Sequence, residues 1–189
     1  MSIQTLKDII EKQKKEQEEE QEFNKDEQIE EYKNLVDDLY KIALDPIQEL
    51  INEGLIQESR EEILINEELL GEYKIDALVL TINNKKIKFE PVGTMLIGSK
   101  GRVDVTGPFG KERFLLIRKG VKSPSDLVKV TFHVSGAPKQ EEEKKREENK
   151  KPSISDWEWK TMPSDSRWVK FDDVNADTMT DIIMRMING

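Results

Sequence analysis

Between Tyr73 and Ser135 apolar and polar residues alternate, and glycines at 93, 98, 101, 107 and 110 cut the alternation into short runs. A period of two is what an extended strand imposes, because successive side chains leave opposite faces of the pleat. Leu78, Leu80 and Ile82 share one face of the first run, while Tyr73, Ile75, Ala77 and Val79 share the other. A strand apolar on both faces belongs inside a sheet, flanked on both sides. Asn83-Asn84 then supplies a two-residue turn, since Asn tolerates positive φ, and Ile87 and Phe89 continue a hairpin. Met95 to Ile97, Val103 with Val105, Phe114 to Ile117, and Val128 to Val134 are further short apolar runs. The stretch from Lys85 to Arg118 is the part around which the chain is organised.

Helical periodicity flanks this β-rich centre. Ile29, Tyr32, Val36, Leu39 and Ala43 recur at spacings of three and four, widened by Leu35 and Ile42. Asp45-Pro46 reads as a cap and first helical residue for a short helix, Pro46 to Asn52, stopped by Gly54. Leu55 to Ile65 is ambiguous: Ile63 and Ile65 alternate like a strand, and Asn66 is placed to cap one turn before Gly71. Near the end, Met179, Ile182, Ile183, Met186 and Ile187 form an amphipathic helix that Asn175 or Asp173 can cap. Such a stripe requires cover, so the helix docks on the sheet. The expected fold is α+β: an antiparallel sheet of about six strands, covered on one face by helices from both chain ends, with a charged N-terminal helical arm.

Composition divides the chain further. Charged residues make up 37% and hydrophobic residues 35%, with a net charge of −9. From Glu11 to Glu31 ten acidic residues oppose four basic ones, so −6 of the −9 lies there. Residues 1–28 are therefore read as a solvated helical arm with few apolar anchors, and residues 29–189 as one domain. Residues 136–153 are dense in balanced charge and nearly free of apolar side chains, which reads as a flexible insertion within that domain. Trp157 and Trp159 share a face of a following strand, and Trp168, Val169 and Phe171 suggest another.

The chain has no cysteine, which removes disulfides and thiolate metal sites and suits a reducing compartment. Neither a membrane-spanning apolar run nor a signal-peptide pattern is found, and the expected location is cytoplasmic. The acidic balance disfavours general nucleic-acid binding.

Gly93 to Arg102 (GTMLIGSKGR) imitates a phosphate-binding loop but places Ser99 before Lys100, the reverse of the required order. It also opens a strand, Arg102 to Val105, instead of a helix whose N-terminus would face phosphates. Ser99, Lys100 and Arg102 are nevertheless the candidate ligand-binding residues, for an anion or nucleic acid, with Lys111 and Arg113 nearby in sequence. Against this stands a plain glycine-rich β-turn with solvated cations. His133 is the single histidine and lies on the polar face of its run, as a surface residue would. Glu90, Asp104 and His133 could serve a metal-dependent hydrolase only by converging in space. Trp157, Trp159 and Trp168 are candidates for partner contact, with core or lid positions as the simpler assignment. The sequence calls for no cofactor, no metal and no catalytic set. Its leading functional expectation is a non-catalytic interaction protein whose arm binds a protein partner or a second copy.

Overall fold

A computed structural model describes residues 3–94, 98–127, 156–162 and 170–188. Seven strands form one antiparallel sheet in chain order: β1 (Ile56–Glu67), β2 (Gly71–Ile82), β3 (Lys85–Gly93), β4 (Gly101–Gly107), β5 (Gly110–Arg118), β6 (Trp157–Met162) and β7 (Asp172–Asp173). Helix α1 (Ile3–Leu44) precedes the sheet, short α2 (Gln48–Asn52) follows a 3-10 turn at Asp45–Ile47, and α3 (Ala176–Asn188) ends it. The α+β architecture and the antiparallel sheet are thus as expected, with helices at both ends of the chain. The apolar runs at 95–97 and 128–134, the insertion 136–153, and His133 and Trp168 lie outside the described residues.

The β2–β3 turn at Asn83 and Asn84 takes φ of 47° and 65°, the left-handed conformation a two-residue hairpin demands. Two other sequence expectations change. The ambiguous segment before Gly71 is strand β1, and residues 68–70 form a turn to β2 instead of a capped helical turn. Asp45 is no side-chain cap either: α1 runs straight into the 3-10 turn, which has Leu44 at its N-cap and no side-chain hydrogen bond.

The β1–β2 ribbon turns its two faces inward in succession. Leu78, Leu80 and Ile82 join the core from one face, whereas Tyr73 and Ile75 join it from the other. The β1–β2 register is unbroken from Ile56↔Ile82 to Glu67↔Gly71, so no slip explains the change. Instead the ribbon rotates. β3 pairs only with Leu78 to Ile82, and the rest of β2 has β1 alone as partner. Two-stranded ribbons twist more than wide sheets.

The C-terminal half of α1 packs into the core against the sheet. Tyr32, Val36, Leu39, Tyr40 and Ala43 are all essentially inaccessible to solvent. The Tyr40 hydroxyl lies 2.8 Å from the Asp76 carbonyl oxygen and 3.3 Å from that of Phe89. Its ring meets Phe89 edge-on at 6.4 Å, and Phe89 stacks on Phe114 at 6.3 Å. α3 buries Met179, Ile182, Ile183 and Met186 beside it. Asn175 caps α3, its Oδ1 accepting from Thr178 N at 3.0 Å while Asn175 N donates to Thr178 Oγ1 at 2.9 Å. Gly107 lets the helix approach, since a Cβ there would stand 2.7 Å from Met186 Cβ.

Candidate functional site

The described ends of the glycine-rich segment, Trp157 and Trp159 converge on one place, the turn of α1 formed by Glu31, Tyr32 and Leu35. This is where the helix leaves the sheet. Among the described side chains, residues 7–15 of α1 are all exposed, and the first fully buried one is Tyr32. The helix does not break between the two regions. The arm is therefore a direct extension of a core helix, and the surrounding residues form its seat.

Tyr32 is the centre of the seat. Its hydroxyl donates to the Arg102 carbonyl at 2.7 Å and accepts from Gly93 N at 3.3 Å, so it ties both ends of the glycine-rich segment. Its ring lies against Gly101, where a Cβ would come within 2.6 Å of Cε2. Glu67 at the end of β1 is buried and accepts from Tyr73 Oη at 2.5 Å, Thr94 N at 3.0 Å and Thr94 Oγ1 at 2.9 Å. Burial raises the phenol pKa of Tyr32, and burial with the Glu67 carboxylate raises that of Tyr73. Both stay protonated donors, suited to holding backbone and carboxylate and not to accepting protons in catalysis.

The three candidate ligand residues sit around this seat, each engaged with the chain's own groups. Ser99 is buried, with its hydroxyl 2.8 Å from the Gly101 carbonyl and 3.0 Å from that of Leu116. Lys100 forms an ion pair with Glu31 of α1 and lies 5.5 Å from the centre of the Trp157 ring. Arg102 grips Asp104 with two hydrogen bonds of 2.7 and 2.5 Å, and Arg113 stands 3.7 Å from the same carboxylate. Trp159 is buried and donates from Nε1 to the Leu35 carbonyl at 2.9 Å. Trp157 is partly exposed, and its Nε1 has no hydrogen-bond partner.

Glu90 and Asp104 are register partners across β3 and β4. Glu90 meets Lys88 at 3.0 Å, and Asp104 is held by Arg102 and Arg113. Among the described residues no three His, Asp or Glu side chains come together as a metal site would require. Comparison with protein families, with curated proteins and with solved structures finds no match to this chain.

Two open clefts lie elsewhere on the described surface. One, of about 500 Å³, lies between α3 and β6, lined by residues that include Thr161, Asp172, Asp181, Met184 and Arg185. The other, of about 270 Å³, lies between α1 and the β1–β2 ribbon. Beside the first, Glu112 is buried, its Oε1 accepting from Thr161 Oγ1 at 2.7 Å and its Oε2 meeting Arg185 Nη2 at 3.3 Å. Burial raises the Glu112 pKa, with Thr161 and Arg185 pulling it back down. A carboxyl whose folded pKa is raised binds its proton more tightly when folded. Its contribution is therefore fully present below the unfolded value, about 4.3, and is lost as pH rises through the folded one. The stability of the wild type relative to Glu112→Gln is expected to fall as pH rises above about 4.3. Paired urea titrations across that range check this, and a pH-independent difference contradicts it.

Proposed function

We propose that this protein is a non-catalytic interaction protein that presents its charged helical arm, residues 1–28, to a protein partner. The observation that carries this is the continuity of α1. One 42-residue helix buries Tyr32, Val36, Leu39, Tyr40 and Ala43 under the sheet, while its described side chains at residues 7–15 are all exposed. An isolated polar helix with few apolar anchors is marginal in water. Continuation from a buried helix removes the cost of nucleation and fixes the arm's direction. The Lys100–Glu31 pair, the Tyr32 hydroxyl and Trp159 brace the helix at the point of exit. On this reading the loop resembling a phosphate site is part of the mounting. The proposal places the protein in the cytoplasm, in keeping with a chain that has no cysteine.

Removal of residues 1–28 tests the proposal. The 29–189 chain keeps every residue of α1 that is buried among the described ones and is expected to melt within about 2 °C of the full chain. It is also expected to lose the proteins, or the self-association, that the full chain shows in affinity pull-down and sedimentation. Identical behaviour of the two chains in both measurements defeats the proposal.

A further inference from the structure

The arm's charge is divided at its midpoint. Residues 3–15 carry four lysines and two carboxylates, a net of +2. Residues 16–28 carry seven carboxylates and one lysine, a net of −6. Each half is 13 residues long. Beyond residue 28 the helix enters its seat, with Ile29 packed against the core and Glu31 paired to Lys100. The charge boundary between Lys15 and Glu16 is thus the centre of the projecting segment.

From this geometry we infer that the arm's partner is a second copy of the same arm, laid antiparallel with its two-fold axis at the 15/16 boundary. The inference rests on the proposal that the arm is the binding element. With the axis there, residue i faces residue 31 − i of the second copy. Lys12 then faces Glu19, and Lys15 faces Glu16. Each basic half lies along an acidic half, twice, as a two-fold interface requires. Residue 3 falls opposite residue 28, so the arms overlap for their whole length and stop where the domains begin. Ile9 and Ile10, 50% and 54% exposed in one copy, fall opposite residues 22 and 21, beside Phe23. A parallel pair would set the two acidic halves against each other.

Sedimentation velocity of the full chain is the test. A dimer is expected at 0.1 M salt, weakening at least tenfold at 1 M, as the screening length falls from about 10 Å to about 3 Å. The triple variant Lys12→Glu, Lys14→Glu, Lys15→Glu is expected to weaken it at least tenfold. So is the variant Glu16→Lys, Glu19→Lys, Glu20→Lys, whereas a mixture of the two regains the dimer. Orientation is read from a spin label on Lys7→Cys, with no native cysteine to interfere. The two labels are expected roughly 25 Å apart along the axis, 17 residues at about 1.5 Å each. A parallel pair would hold them about 10 Å apart. A monomer at low salt, a dimer indifferent to the charge reversals, or the short label distance each overturns the inference. If the chain is monomeric yet captures a different protein through residues 1–28, the inference falls and the proposed function stands. If deletion of the arm changes nothing, both fall.

Discussion

Phe89→Ala is expected to lower the unfolding free energy by about 3–5 kcal/mol, a large share of the 5–15 kcal/mol typical of a whole domain. Phe89 is fully buried on β3 between the Tyr40 ring of α1 and the Phe114 ring of β5. Its loss removes the transfer free energy of the ring and leaves a cavity that neighbours from two elements cannot jointly fill. The Phe89 carbonyl also accepts from Tyr40 Oη at 3.3 Å, so relaxation of β3 would loosen the helix as well. Urea denaturation gives the number. Leu64→Ala, 56% exposed on β1, is the control and is expected to stay within about 0.5 kcal/mol of wild type. Equal effects of the two substitutions would mean that α1 does not sit on the sheet as described.

Trp159→Ala is expected to cost about 3–5 kcal/mol as well, from the loss of a large buried ring and of its hydrogen bond. The Trp159 indole spans from β6 to the Leu35 carbonyl of α1, so it locks the sixth strand to the helix just inside the seat. Trp159→Phe keeps most of the volume but not the donor and should fall between alanine and wild type. Trp157→Ala provides the contrast. Its ring is partly exposed beneath Lys100, and its Nε1 has no hydrogen bond to lose, so a loss of about 1 kcal/mol is expected. Thermal melts of the three variants separate a tryptophan that holds the domain from one that reaches its surface. If Trp157→Ala proves the more damaging, the seat is wrongly drawn.

Helix α3 and the β2–β3 hairpin were legible because their information is local. The stripe at 179, 182, 183 and 186 and the Asn83-Asn84 turn each specify a structure within a few residues. β1 was not legible for the opposite reason. Gln57 to Glu62 is a run of six exposed polar residues with no alternation to read, and pairing with β2 makes it a strand. Its outer edge carries charges of both signs, which suits a position at the rim of a sheet. The unbroken course of α1 is not legible in the sequence because the apolar stripe fades before Ile29. Helical backbone continues on propensity alone where nothing interrupts it, and the first proline is Pro46. Ser99, Lys100 and Arg102 stand out in the sequence as a motif, but their partners do not. Glu31 lies 69 positions from Lys100, and nothing in the local pattern joins them. Glu67 gave no signal at all, since a carboxylate in a chain this charged looks like surface until Tyr73 and Thr94 close over it.

The order of the sheet has a kinetic consequence. From β1 to β5 every strand pairs with the one just made, so each added rung joins residues close in sequence, and low contact order favours fast formation. The most distant encounters include those of α1 with α3 and of Trp159 with Leu35, which is 124 positions away. A ladder that zips early and is roofed late would expose Phe89, Leu80 and Ile87 until the two ends of the chain meet above them.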